Sequence, residues 1–327
     1  MITPIPIGVV GVGFQGRRHA QKLHALEKAE LVAVVDTDAD CLRSVTGELG
    51  VEGSLDHRDL VGRVSAAVVA TPTSTHFDIA RDLLRAGIHV LVEKPMAARI
   101  DEARKLVEIA DRRGLVLQVG HLERFNPVIV AMAGYVTEPQ FIESNRIAPF
   151  KPRGLDVSVV LDLMIHDIDL IHSFVRSPIA HVDAVGRSVF TDNTDVANAR
   201  ITFASGCVAN VTSSRISLKT ERTLRIFQPH TYLSGDLQQL TLAHFATKGN
   251  APVAGPEDVQ TEKTSFANVD ALMEQARAFL RSVAGGPEPV ASGRVALDTL
   301  ETATEIISSC LASRSRRPHD TRRSANR

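Results

Sequence analysis

Through about residue 120 the chain alternates short uninterrupted apolar runs with longer stretches that are apolar on one face only. Ile5–Val10, Leu31–Asp36, Ala66–Ala70, His89–Val92 and Leu115–Val119 are Val-, Ile-, Leu- and Ala-rich, which predicts strands buried on both faces. Gln15–Leu26, Ser74–Arg85 and Asp101–Arg113 repeat apolar residues at helical spacing, the last closed by Gly114. Strand and helix in regular alternation predict a mostly parallel, doubly wound α/β sheet.

The rhythm changes after about Asn126. Asn198–Phe203 and Cys207–Thr212 alternate apolar and polar residues around Ala204-Ser-Gly206, which reads as a hairpin with one wet face. His181–Phe190, Thr223–Phe227 and Leu237–Phe245 read as further strands, and Asp270–Val283 and Ala296–Leu311 as two closing helices. Gly249–Lys263, poor in apolar residues, reads as an exposed loop. The expected organisation is a dinucleotide-binding domain at 1–122, an α/β domain on a mostly antiparallel sheet at 123–312, and a basic, disordered tail at 313–327.

Composition narrows the function classes. At 44% hydrophobic and 23% charged the chain can bury a core, which excludes wholesale disorder. A net charge of −1 gives no overall footprint for nucleic acid. The bias is local: from Ser313 onward Arg314, Arg316, Arg317, Arg322, Arg323 and Arg327 face only Asp320, leaving the body at about −6. The longest apolar run, Val128–Val136, is far short of a membrane span. No Lys or Arg precedes Arg17, unlike a secretory signal, and the three cysteines have no metal spacing. A cytoplasmic protein is expected.

The first chemical motif is Gly11-Val-Gly13-Phe14-Gln15-Gly16, between a predicted strand and a predicted helix. Glycines there allow a tight turn and close backbone approach, leaving a pyrophosphate at the helix N-terminus. Asp36 ends the next strand; a carboxylate there accepts from both ribose hydroxyls and repels a 2′-phosphate, which favours NAD over NADP. Thr71-Pro72-Thr73-Ser-Thr-His76 follows the Ala66–Ala70 strand, where hydroxyls and amides can meet ribose and phosphates and His76 is expected among the cofactor contacts, or Thr73 or Ser74 can simply cap the helix. Glu93-Lys94-Pro95 follows the His89–Val92 strand, placing an ammonium where a ligand crevice is expected; it can orient a substrate hydroxyl and lower its pKa.

Asp162 and His166 stand one turn apart on a predicted amphipathic helix. Removing hydride from a secondary alcohol requires a base for the hydroxyl proton, a task that suits imidazole. A zinc site from His166, Asp162, Asp169 and His172 is the competing reading, but no thiolate or further histidine cluster supports it, so no metal is expected.

Together, Gly11-x-Gly13-x-x-Gly16-x-x-His19, Thr71-Pro72-x-x-x-His76, Glu93-Lys94-Pro95 and Asp162-x-x-x-His166-x-x-Asp169 resemble the glucose–fructose oxidoreductase / inositol dehydrogenase (Gfo/Idh/MocA) family. The resemblance implies an N-terminal Rossmann domain, a C-terminal α/β domain with an open sheet, and NAD(P)-dependent oxidation of a sugar or cyclitol hydroxyl. It also implies Lys94 and His166 as the catalytic pair with Asp162 beside them, and assembly into dimers or tetramers through open sheet faces. Met164 departs from the Gly that many members carry at that position.

Gly120-His-Leu-Glu123-Arg124-Phe-Asn126-Pro127 and Asp162–Asp169 resemble the branch of that family that oxidises UDP-N-acetylglucosamine at its 3-hydroxyl. That branch supplies a 3-keto sugar to an aminotransferase on the way to amide-linked lipid A. Arg124, Arg146 and Arg153, with Lys151, would then serve a nucleotide diphosphate, which needs forked cationic donors, with Glu123 and Asn126 as polar partners of the substrate. Two alternatives stand beside this reading. One is a dehydrogenase of inositol or a free sugar, the other a non-catalytic NAD-binding redox sensor.

Overall fold

The computed structural model describes residues 3–151, 157–249 and 253–315, with side chains to 313. Arg153 and the arginine tail beyond 315 lie outside the described residues.

The chain forms two compact units, the first comprising residues 1–130 and 268–300 and the second 131–267 and 301–327. The first begins β1 (Ile5–Val10), α1 (Phe14–His24), β2 (Ala29–Val35), α2 (Ala39–Leu49), β3 (Glu52–Ser54), β4 (Ala66–Val69), α3 (Thr73–Arg85), β5 (His89–Val92), α4 (Ile100–Arg113) and β6 (Leu117–Val119). The strands pair in parallel in the order β3-β2-β1-β4-β5-β6. That order reverses between β1 and β4, the topological switch point where open α/β sheets take their ligands. Ile7, Val9, Val34, Val68 and Leu91 are fully or almost fully buried, as both-face burial predicts.

Next come α5 (Pro127–Met132), β7 (Phe141–Ile147), a π-helical turn at Val160–Met164, α6 (Ile165–Phe174), β8 (Ile179–Arg187), β9 (Val196–Phe203), β10 (Val208–Ser214), β11 (Glu221–Gln228), β12 (Thr231–Asp236), β13 (Thr241–Thr247) and β14 (Val259–Ser265). The eight strands form one sheet in the order β14-β13-β12-β11-β7-β10-β9-β8, antiparallel except for the β7–β10 pair. One face is covered: Ile142, Ala199, Val211 and Ile226 are buried there, and α8 (Gly293–Ser315) reaches it through Ser309, whose Oγ accepts from Ala184 N at 2.9 Å. On the other face Phe141, Phe227, Tyr232 and Phe245 stand directly opposite one another across four strands, with successive ring centroids 5.7, 4.6 and 5.1 Å apart. This aromatic ladder is only half-buried.

Several expectations are corrected. Leu237–Phe245 is a turn and a strand, because Asp236 Oδ1 accepts the Gln238 and Gln239 N–H groups and bends the chain before β13. The strand from His181 stops at Arg187: the N–H groups of Val189, Phe190 and Thr191 converge on Asp195 Oδ2, curling the chain. These donors outweigh the burial of Asp195 and hold its carboxyl down to about 2. The Gly249–Lys263 loop contains most of β14, whose Gln, Thr, Glu and Lys side chains suit a sheet edge that must not recruit another strand.

The units also divide differently from the expected 1–122 and 123–312. Helix α7 (Ala271–Val283) is amphipathic, and its Ala276, Phe279 and Leu280 join the core around Ile7, Leu23 and Val34, so this late segment belongs to the first unit.

Candidate functional site

In the first unit the glycine turn follows β1. Gly11 has φ +82, a conformation L side chains rarely adopt, and a Cβ there would lie 2.7 Å from Thr71 Cγ2. At Gly16 a Cβ would fall 1.6 Å from Gly11 O, so only glycine lets α1 pack onto the turn. Gly13 differs: a Cβ there would meet nothing within 4 Å, leaving open space over the start of α1. Gly13 caps α1 without a side-chain bond and the first turn carries no acid, so its N–H groups are disposed to receive an anion. Phe14 is 73% exposed beside this space, and Gln15 lies half-buried next to it.

Asp36, at the end of β2, holds the same turn: Oδ2 accepts from Val12 N at 2.7 Å and Oδ1 from Asp38 N at 2.9 Å. Carboxylate oxygens retain further acceptor capacity for ribose hydroxyls. Open backbone over Gly13, an uncapped helix terminus and a carboxylate one strand away fit the pyrophosphate and ribose of NAD.

Thr71, Pro72 and Thr73 lead from β4 into α3. Pro72 occupies the cap position without a side-chain bond, so neither Thr73 nor Ser74 caps the helix; Thr75 Oγ1 instead donates to Thr71 Oγ1 at 2.8 Å. The expectation that His76 contacts the cofactor is corrected. Its ring is 1% exposed, with Nε2 2.8 Å from Thr71 O and Nδ1 2.9 Å from Pro95 O.

Glu93 is likewise engaged within the unit. Its Oε1 is 2.8 Å from His19 Nε2 and its Oε2 accepts from Lys94 N at 3.3 Å. Burial works to raise the Glu93 carboxyl, but the hydrogen bond and charge of His19, followed by the N–H and ammonium of Lys94, outweigh it and hold the carboxyl below its ordinary value. Lys94 is half-buried at the end of β5, joined to Pro95 by a cis peptide bond. Beyond β6, Glu123 and Arg124 are half-buried, whereas Asn126 is buried and turned to structure: its Oδ1 accepts from Val128 N at 3.0 Å at the start of α5. Its Nδ2 lies 3.4 Å from Glu123 Oε2.

In the second unit Asp162 lies in the π-helical turn and His166 in the first turn of α6, both half-buried. The expected single α-helix is therefore two joined helical forms, and π turns recur at functional sites. Met164 is fully buried at their junction. Arg146 is a correction to the substrate set. It lies 3% exposed on β7, where its Nε and Nη2 donate to Asp167 at 2.9–3.1 Å, so this fork is committed to a neighbouring carboxylate. Lys151 is exposed. Among the described residues no three His, Cys, Asp or Glu converge as a metal site, and His172 Nε2 bonds Thr302 Oγ1 at 2.9 Å. A cavity of about 700 Å³ near Phe174 and Cys207 includes none of the expected site residues, and burial pushes the Cys207 thiol up to about 11, which makes it a poor nucleophile.

Sequence reasoning missed three structural partners. His19 was visible in the glycine motif, but its carboxylate partner lies 74 residues away. Asp167 resembled one more polar residue of a helix. Gly120 opened the Gly120–Pro127 motif, but nothing local pointed to Glu93, from whose Oε2 a Cβ at Gly120 would lie 2.7 Å.

Comparison with known proteins agrees with this geometry. Residues 5–121 match a family described as "Oxidoreductase family, NAD-binding Rossmann fold", and residues 137–234 match the GFO/IDH/MocA C-terminal domain. The chain is 38% identical over 301 residues to UDP-N-acetylglucosamine 3-dehydrogenase of Acidithiobacillus ferrooxidans, covering 91% of this chain and 95% of that protein. A solved structure of that dehydrogenase superposes with a TM-score of 0.89 at 36% identity, covering 95% of this chain and 99% of that one. Myo-inositol 2-dehydrogenase of Thermotoga maritima is 25% identical over 309 residues, covering 88% of this chain and 90% of that protein. The chain belongs to the Gfo/Idh/MocA family of NAD-binding Rossmann oxidoreductases.

Proposed function

We propose that this protein oxidises the 3-hydroxyl of UDP-N-acetylglucosamine to a ketone with NAD. The observation that carries the substrate is the 38% identity to a dehydrogenase of that sugar, sustained over 95% of its length. When bound, NAD supplies the hydride acceptor. The chain's own contribution is threefold. The Gly11–Gly16 turn and Asp36 seat the cofactor, with Thr71, Pro72 and Thr73 beside them. Lys94 offers an ammonium that holds the hydroxyl oxygen and favours its ionisation, and His166 takes the hydroxyl proton, with Asp162 as its polar neighbour. Glu123 and Arg124 remain candidates for the polar part of the substrate.

Inositol or free-sugar oxidation is the second reading. The Arg146–Asp167 pair favours it, because it withdraws a forked cation from service to a diphosphate. A non-catalytic sensor has no need of Lys94 and His166. Following NADH absorbance with UDP-N-acetylglucosamine, free N-acetylglucosamine and myo-inositol separates the three. NADH from the UDP-sugar alone is expected, with an aminotransferase and amine donor added to draw off the 3-keto product. Turnover of inositol alone would discard the nucleotide-sugar reading, and silence with all substrates would favour the sensor.

The aromatic ladder suits association of copies through the open sheet face as a dimer or tetramer, and a monomeric mass by light scattering would refute this. Cytoplasmic location belongs to the same proposal. Among the described residues no helix is long and apolar enough to cross a membrane.

Asp36 gives a separate prediction. Because it also accepts the Val12 N–H, Asp36→Ala would loosen the turn for either cofactor, so Asp36→Asn is the cleaner probe of charge. The preference for NAD over NADP is expected to shrink about tenfold, roughly 1.4 kcal/mol, as read by the two Kd values. An unchanged ratio would remove Asp36 from cofactor discrimination.

A further inference from the structure

We propose that His76 is a positioning residue for Lys94, fixing the turn that carries it to the peptide beside the cofactor's glycine turn; this rests on the assignment of Lys94 to the chemistry. The geometry is specific to the two residues flanking Lys94. On one side the Pro95 carbonyl is 2.9 Å from His76 Nδ1, while the opposite ring nitrogen lies 2.8 Å from Thr71 O. Thr71 is also the residue against which Gly11 packs, so closely that a Cβ on Gly11 would lie 2.8 Å from its N. His76 therefore spans from the β1–β4 switch point to the Lys94 turn in one buried ring.

On the other side Glu93 is held by His19 from α1 at 2.8 Å and accepts the Lys94 N–H itself. Gly120 leaves the space into which the Glu93 carboxylate folds. Each neighbour of Lys94 is thus tied to a different buried histidine on a different helix. Rigid placement matters because an ammonium that must meet one hydroxyl oxygen loses its advantage when misplaced by about 1 Å. His76 suits this task because its two nitrogens face two carbonyls on opposite sides, a neutral ring donating to one of them and only the imidazolium to both, a span that a side chain with one polar atom cannot reproduce.

The test uses the full-length protein and three variants: His76→Phe, which fills the space without donors, His76→Gln, which restores part of the bonding, and Lys94→Ala. Circular dichroism and Tm establish that each is folded, and His76→Gln carries the test alone if His76→Phe is not. For His76→Phe we expect kcat on the sugar to fall about 10- to 100-fold, NAD Kd to stay within about threefold, and His76→Gln to recover part of the loss. Adding His76→Phe to Lys94→Ala is expected to cost nothing further, because the histidine acts through the lysine. A loss that multiplies in the double variant, or a fall in NAD affinity matching the fall in kcat/KM, overturns the proposal. Lys94→Ala with normal turnover refutes the lysine assignment itself, whatever His76 does. A readout independent of substrate is the pH dependence of Lys94 acetylation, followed by mass spectrometry. It is expected to shift by about half a pH unit or more in His76→Phe, and an unshifted profile counts against the proposal.

Discussion

Lys94→Ala is expected to lower kcat by about 10²- to 10⁴-fold while NAD still binds with close to its normal Kd, the range typical for loss of one positioned acid–base group. Lys94 sits at the carboxyl end of β5, next but one to the switch point in the strand order, while the features that fit the pyrophosphate and ribose lie at β1 and β2. Removing the ammonium leaves the glycine turn and the Asp36 bonds in place. The same substitution removes the lysine charge that helps hold the Glu93 carboxyl down, but the larger His19 contribution remains. The variant should therefore fold, bind cofactor and fail in turnover. Stopped-flow NADH formation and calorimetric titration with NAD separate these properties. Normal turnover would remove Lys94 from the chemistry, and an NAD affinity reduced as much as kcat would move it into the cofactor seat.

How much of this was legible in the sequence depended on whether a residue's neighbours were near it in the chain. The parallel sheet was readable because its strands are buried on both faces and show as unbroken runs such as Ala66–Val69. The glycine turn was readable because its constraints act within six residues. Strand β7 was not, since the buried side of Phe141–Ile147 is Ile142, Ser144 and Arg146, and two polar residues erase the expected alternation. Strand β14 was hidden for the opposite reason: a polar edge strand is held by backbone pairing to β13 and leaves no hydrophobic period.

The site divides along the same line. Gly11, Gly13, Gly16 and Asp36 stood out because a turn and a strand end constrain their residue types locally. His76 and Arg146 were misassigned because a histidine or arginine placed among site motifs looks available until its buried partners are known. Those partners are backbone carbonyls in one case and a carboxylate 21 residues away in the other.

Arg146 carries the largest expected effect on stability. Arg146 is 3% exposed and Asp167 1% exposed, with Nε and Nη2 shared over the carboxylate at 2.9–3.1 Å. Arg146→Ala leaves Asp167 as a buried charge without this partner, a loss that typically costs about 3–5 kcal/mol. The pair itself is a weaker source of stability than that figure suggests, because bringing both ions out of water offsets much of their attraction. Arg146→Met combined with Asp167→Leu is therefore expected to recover most or all of the lost stability, as read by urea unfolding midpoints. The double variant also separates structure from recognition. If Arg146 served a diphosphate, the repacked protein would be stable and yet show a raised KM for the UDP-sugar. We expect instead that KM stays within about threefold of wild type, a difference below 1 kcal/mol. The consequence falls on α6: Asp167 follows His166 directly, so the β7 arginine anchors the helix turn that presents the proposed base. In Arg146→Ala the loss of kcat should accordingly exceed any change in KM, because a base out of place weakens the transition state more than it weakens binding.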